Sequence, residues 1–292
     1  MDRARGDYLY FFDADDFCEE TLIETVMERL IETDADMAVF PFKEYSQLAG
    51  VAQRPMWGLL GDKFSSDVFS WRDNPDWIFE AFQNYPWNKI AKASFVRENA
   101  IRYQEDVYLT EDLMYAAPCL VLARSIVWVD APLVCHRIST GTNVMANKDA
   151  HPLDFIEAFC AFRAFLEQRG LYGDLRVAYA NWALNACLYN LHTLNTFEGF
   201  RLVFDTLAET GLARLGLNDV DESDIRVDAY KALLQALRED DPASYAYRLY
   251  ALACDDRDYL DFLARFRLGE MGRLEGELHA VSYTHLTLPT IC

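Results

Sequence analysis

The sequence predicts an α/β fold that gives way, near its midpoint, to an all-helical C-terminal region. Three observations carry this reading. An apolar run, Tyr8 to Phe12, ends in Asp13-Ala14-Asp15-Asp16. An amphipathic stretch and a second apolar run, Met37 to Phe42, follow at once. Beyond Asn147 to Pro152 the apolar residues recur only at helical spacing.

Tyr8 to Phe12, bounded by turn-forming residues, reads as a strand buried on both faces. Two carboxylates, Asp13 and Asp15, leave its C-terminal end, which is where ligands lie in open α/β sheets. Crowded carboxylates raise each other's pKa, and a divalent cation between them removes that penalty. Oxygen ligands suit Mg²⁺ or Mn²⁺, whose shells are completed by water and substrate phosphates. The local reading is therefore a metal–diphosphate site. A purely structural reading stands beside it: Asp is common in strand-to-helix turns, and Asp16 with Glu19 fits a capping box.

Glu19 to Thr33 carries Leu22, Ile23, Val26, Leu30 and Ile31 on one helical face. With Met37 to Phe42 as the next strand, the unit is strand, carboxylate turn, helix, strand, which implies a parallel crossover. Lys43 to Asp73 mixes Gly, Ser, Pro and aromatics without period and reads as an irregular, substrate-facing segment. A helix near Asp76 to Phe82 precedes Trp87-Asn88-Lys89. Glu111 to Leu122 reads as a helix opened by the acidic pair Glu111-Asp112, with Thr110 as its cap. Acids there interact well with the helix dipole whatever their function. Ser125 to Val129 and Leu133 to Arg137 read as strands.

The second half reads as helices over Pro152 to Arg169, Leu175 to Leu194, Phe197 to Glu209, Ile225 to Arg238 and Ala243 to Phe266. The stripe Phe155, Phe159, Phe162, Phe165 fits bundle core rather than a cofactor site. The organisation expected is a first domain over 1–147, a helical domain over 148–280, and a tail over 281–292. That tail lacks any Asp, Glu, Lys or Arg and reads as non-native sequence.

Composition excludes several functions. The 292 residues carry a formal net charge of -20, which argues against nucleic acid and against a basic membrane-docking patch. A nucleotide ligand remains compatible, because a metal and one or two basic side chains can handle a diphosphate. No apolar run approaches the length of a membrane span. The seven cysteines are scattered without a C-x-x-C pair, which suits thiols in a reducing cytoplasm.

The order of features is more specific than any one of them. Gly6 to Asp16 resembles the donor-metal segment of family 2 glycosyltransferases, which have the GT-A fold. The resemblance continues through Pro86-Trp87-Asn88-Lys89-Ile90, Phe95 to Ile101, Thr110-Glu111-Asp112-Leu113 and Leu133 to Arg137. It covers residues 4 to 145, about half the chain. It implies the C-terminal part of a GT-A, Rossmann-like mixed sheet with flanking helices. It also implies a nucleotide-sugar donor, by default a UDP-sugar, bound with Mg²⁺ or Mn²⁺. Asp15 would be the main metal ligand, with Asp13 facing the sugar or ribose. Asp112 would be the general base for an inverting displacement, and Glu111 would support it or contact the acceptor. Trp87 would stack on a sugar, and Lys89 or Arg137 would contact the diphosphate. Asn88 and His136 complete the expected donor and acceptor contacts. The acceptor would be a glycan or glycolipid in bacterial surface polysaccharide synthesis. The setting would be the cytoplasm, including the inner face of the membrane, with the helical region available for homo-oligomer contacts.

The sequence departs from the family in one respect. The strands that bind base and ribose have no match here and would lie upstream of Met1, so the chain reads as a fragment whose activity is open. Two other classes compete. A non-catalytic scaffold or carbohydrate-binding remnant would keep the fold without turnover. A haloacid-dehalogenase-type phosphatase also places Asp-x-Asp after a strand, but wants Thr or Val where Phe17 stands. A Ca²⁺ loop counted from Asp13 fails at Phe17 and Cys18.

Overall fold

The computed structural model describes residues 1–46, 50–55, 59–138, 148–239 and 241–251. The expected tail and the end of the last expected helix lie outside the described residues. By its internal contacts the chain divides into Met1–Arg238 and Glu239–Cys292. In the second unit the backbone of residues 242–251 is helical.

The first unit is built on two small mixed sheets with helices around them. One sheet comprises β1 (Tyr8–Tyr10), β3 (Met37–Val39), β6 (Val68–Phe69), β7 (Lys89–Lys92) and β8 (Ile126–Trp128), in the order β1-β7-β3-β8-β6. The other comprises β2 (Phe17–Cys18), β4 (Phe42–Ser46), β5 (Val51–Gln53) and β9 (Val134–Ile138), in the order β2-β9-β4-β5. Strand β7 runs antiparallel to both β1 and β3, with Leu9 and Met37 each opposite Ala91. Strands β1 and β3 are thus parallel to each other, as the crossover requires, but β7 lies between them. The sequence hides β7 because Lys-Ile-Ala-Lys has no alternation and too few apolar residues.

Two expectations are corrected here. Strand β1 is half-buried at a sheet edge rather than buried on both faces, and Phe12 beyond it is exposed. Met37 to Phe42 is two strands rather than one. Pro41 has no N–H to donate, so the ladder breaks there and the chain passes from the first sheet to the second. The parallel pair β3–β8 continues in the same way as the parallel pair β4–β9. The segment read as irregular, Lys43 to Asp73, also contributes β5, β6 and short 3-10 turns.

Helix α1 (Leu22–Thr33) lays Leu22, Val26 and Leu30 on the core, where they meet Ala38, Phe40, Val127 and Val134. Helices α2 (Ile78–Phe82), α3 (Ala93–Glu98) and α4 (Leu113–Leu122) complete the α/β part. Helices α5 (Asp154–Gln168), α6 (Tyr172–Thr193), α7 (Phe197–Thr206), α8 (Leu212–Arg214) and α9 (Asp228–Glu239) follow, with a π-helical segment, Leu207–Gly211, joining α7 to α8. Helix α4 packs on α5, and α2 packs on α6. An aromatic seam joins the two halves: Phe79 of α2 stacks on Trp182 of α6 at 5.1 Å and meets Phe162 of α5 edge-on at 5.2 Å. Among the described residues no helix is long and apolar enough to cross a membrane.

Candidate functional site

The site forms where the end of β1 meets the start of α4. Phe11, just past β1, packs edge-on against Tyr115 at 4.8 Å and Tyr103 at 5.2 Å, and those two rings stack at 5.0 Å. This aromatic trio fixes the turn carrying Asp13 and Asp15 beside the turn carrying Glu111 and Asp112. Electrostatics reflect the closeness. Asp13's carboxyl is pushed up by partial desolvation, then by Asp16 and Asp15 and least by Glu111, while His136 opposes the rise. Asp112's carboxyl is pushed up to about 7, chiefly by burial and then by Glu111, with a smaller contribution from Asp13; Asn84 and Lys89 oppose the rise.

Asp13 and Asp15 are exposed, and among the described residues neither carboxylate has a hydrogen-bond or ion-pair partner. Asp16 behaves differently. Its buried carboxylate accepts the Arg137 backbone N–H at 2.8 Å and lies 3.0 Å from His136 Nδ1. It ties the Asp-x-Asp turn to β9 and does not form the capping box with Glu19; helix α1 begins later, at Leu22, with no side-chain cap. Burial would lower the pKa of His136, but Asp16, Asp13 and Glu44 outweigh it and raise the imidazole. Arg137 places its guanidinium 5.4 Å from the Phe17 ring centre, and its Nε is buried without a hydrogen-bond partner among the described residues.

Asp112 occupies the N-cap position of α4 without capping it. Its Oδ1 accepts the Asn84 amide at 2.7 Å. Thr110, expected as the cap, instead adopts φ 67°, a conformation that β-branched residues rarely take. The turn before it is pinned by Asp154 of α5, whose carboxylate accepts the N–H groups of Tyr108 and Leu109 at 2.8 and 2.9 Å. Tyr103, whose hydroxyl senses Asp112, Glu111 and Asp13, also lines a cleft of about 310 Å³ with Arg102, Gln104, Met114 and Phe165.

The Trp-Asn-Lys segment lies beneath this surface, not on it. Trp87 is 5 % exposed, stacked between Tyr85 at 4.9 Å and His136 at 5.1 Å, so neither ring face is available to a sugar. Asn88 is fully buried. Lys89 is 1 % exposed, and its ammonium donates to the carbonyls of Phe82 and Tyr85 and to Asn88 Oδ1. With three acceptors for three protons it cannot reach a diphosphate, which corrects the role expected for it. Burial lowers its pKa to about 7. Sequence reasoning missed Asn84 altogether, since an Asn in a loop gives no signal of its partner.

Residues 1–94 match the family model for glycosyl transferase family 2, and so include Asp13, Asp15 and Trp87 to Lys89. A segment of 168 residues, 52% of this chain, is 25% identical to "Glycosyltransferase GlyA" of Streptococcus pneumoniae serotype 4. The matched part of the chain is thus similar to glycosyl transferase family 2. The matched segment spans 22% of the length of GlyA, so the chain corresponds to a minor part of that relative. The family match ends before Glu111, so the membership of Asp112 in the site rests on the geometry above. The fold is that of S. aureus TarS 1-349, solved in complex with UDP-GlcNAc. The TM-score is 0.51 at 16% identity, covering 82% of this chain and 69% of that one. The chain therefore has the GT-A architecture, with mixed sheets, flanking helices and a helical C-terminal region.

Proposed function

We propose that this protein is a metal-dependent, inverting glycosyltransferase that moves a sugar from a nucleotide-sugar donor to an acceptor hydroxyl in cell-surface polysaccharide or glycolipid synthesis. The observation that carries the reading is the convergence of Asp13 and Asp112, whose turns are held together by Phe11, Tyr103 and Tyr115.

The donor set fits a hard divalent cation. Asp13 and Asp15 are exposed oxygen donors, and Asp13's crowding favours a neighbouring positive charge. Among the described residues no cluster of three or more His, Cys, Asp or Glu could hold a metal ion. Two carboxylates leave positions for water and phosphate oxygens, the usual mode for Mg²⁺ and Mn²⁺. Such an ion, when bound, neutralises charge on the departing diphosphate. Arg137 is the basic side chain assigned to the diphosphate, because its backbone N–H is bound by Asp16 beside the Asp-x-Asp turn.

Asp112 takes the proton from the acceptor hydroxyl as that oxygen attacks the anomeric carbon. The carbon–oxygen bond to the diphosphate breaks on the opposite face, so configuration inverts. A base with pKa about 7 is poised for this at neutral pH. Tyr103 and the cleft it lines are the acceptor's approach. UDP-GlcNAc in the TarS complex supports a UDP-sugar as donor. Five described cysteines are free thiols, in keeping with a reducing cytoplasm, where the reaction would run.

The test is Asp112→Asn. Turnover of a UDP-sugar should fall by roughly 10²–10⁴-fold, while donor affinity stays within about twofold. Near-normal turnover in that variant would remove Asp112 from the base role.

A further inference from the structure

Building on that reading, and resting on it, we infer that Asn84 is a positioning residue for Asp112, held in place by a buried clamp around Lys89. Asn84 lies in the short loop between α2 and β7, and its Nδ2 donates to Asp112 Oδ1 at 2.7 Å. That bond occupies one carboxylate oxygen and leaves Oδ2 to accept the substrate proton. The loop cannot drift, because the Lys89 ammonium donates to Phe82 O at 2.8 Å and Tyr85 O at 2.7 Å, carbonyls on either side of Asn84 in the chain. Its third bond goes to Asn88 Oδ1 at 2.9 Å. A fully buried ammonium needs such a cage, and the cage in turn fixes the loop.

The backbone bears the same mark on both sides of the contact. Gln83, directly before Asn84, adopts φ 53° and ψ 178°, a region almost reserved for glycine. Thr110, two residues before Asp112, adopts φ 67°. Strained residues persist where the surroundings over-determine them, and here they flank the two partners of one hydrogen bond.

The charged and titratable groups facing Asp112 are Glu111 on its own turn, Asp13 from the turn after β1, Lys89 from β7, and the hydroxyls of Tyr103 and Tyr85. Asn84 and Lys89 favour the carboxylate; Glu111, Asp13 and burial oppose it. Removing the Asn84 amide therefore makes Asp112 harder to ionise.

The experiment follows UDP release from UDP-GlcNAc with Mn²⁺ between pH 5 and 9, in the wild type and in Asn84→Ala, Asn84→Asp and Lys89→Met. The Asp112 carboxyl is titrated in parallel by ¹³C NMR, its signal assigned with Asp112→Asn. For Asn84→Ala the acid limb of kcat and the carboxyl titration should both move up by about one pH unit. At pH 7 kcat should fall about fivefold, with KM for the donor within about twofold. Asn84→Asp, which sets a second carboxylate against Asp112, should move both further. Lys89→Met should move them in the same direction; if it does not fold, the Asn84 variants decide alone. An unmoved acid limb and an unmoved carboxyl titration in Asn84→Ala would overturn the proposal. If the wild type releases no UDP, the transferase reading fails, while the NMR titration still decides the pairing.

Discussion

Asp112 shows how a single residue can be set against its own fold. Burial and Glu111 hold its carboxyl up, at about 7 instead of 3.8, and the Asn84 bond only partly offsets them. The sign of the linkage follows. The folded state binds this proton more tightly than the unfolded chain, so the associated stability is full below the unfolded pKa and is lost as pH rises through about 7. Asp112→Asn should thus melt with the wild type near pH 4 and above it at pH 8, as read by thermal unfolding; a difference independent of pH would show that Asp112 is not the perturbed group. At this scale the sequence was informative where residue type implied chemistry. Asp13, Asp15 and Asp112 are carboxylates at element ends, and their positions are legible as such. Trp87 and Lys89 were misleading because an aromatic and a cation beside a site suggest ligand contact, whereas here one is sandwiched between rings and the other is caged by carbonyls.

At the scale of elements, strand ends and helix entrances do the positioning. The crossover from β1 through α1 to β3 was readable from period alone, but the intervening β7 was not, since its pairing is with residues far away in sequence. Pro41 marks the point where one apolar run becomes two strands, and its missing N–H could have flagged the break. The entrance of α4 is a strained turn near the site. Thr110 is β-branched at φ 67°, where glycine is at ease. Thr110→Gly should raise stability by up to about 1 kcal/mol in chemical denaturation, against the loss that Thr→Gly brings at an ordinary position. A clear destabilisation would mean that the Thr110 side chain contributes more than its backbone strain costs.

At the scale of the molecule, the helical region after residue 148 is more than an appendage to the α/β part, because both lie in the compact unit Met1–Arg238. Asp154 of α5 pins the turn that leads to Asp112, and the Phe79–Trp182–Phe162 seam joins α2 to α5 and α6. The helices themselves were legible from their 3.6-residue period; which surface they cover was not, since that depends on α2 and α4 presenting matching faces. Phe79 is fully buried, so Phe79→Ala should cost about 3–5 kcal/mol. It should also lower a single shared transition, with near-UV and far-UV signals falling together. Two separated transitions would show that the halves fold independently.

In the proposed function the Asp-x-Asp turn binds a nucleoside diphosphate through a divalent cation. The most direct test is calorimetric titration of UDP into the protein with and without Mn²⁺, repeated with Asp15→Ala. Heat of binding is expected only with Mn²⁺ and should be lost in Asp15→Ala, with the variant's melting temperature unchanged because the Asp15 side chain is exposed and unpartnered among the described residues. UDP binding of equal strength without Mn²⁺, or undiminished in Asp15→Ala, would contradict it.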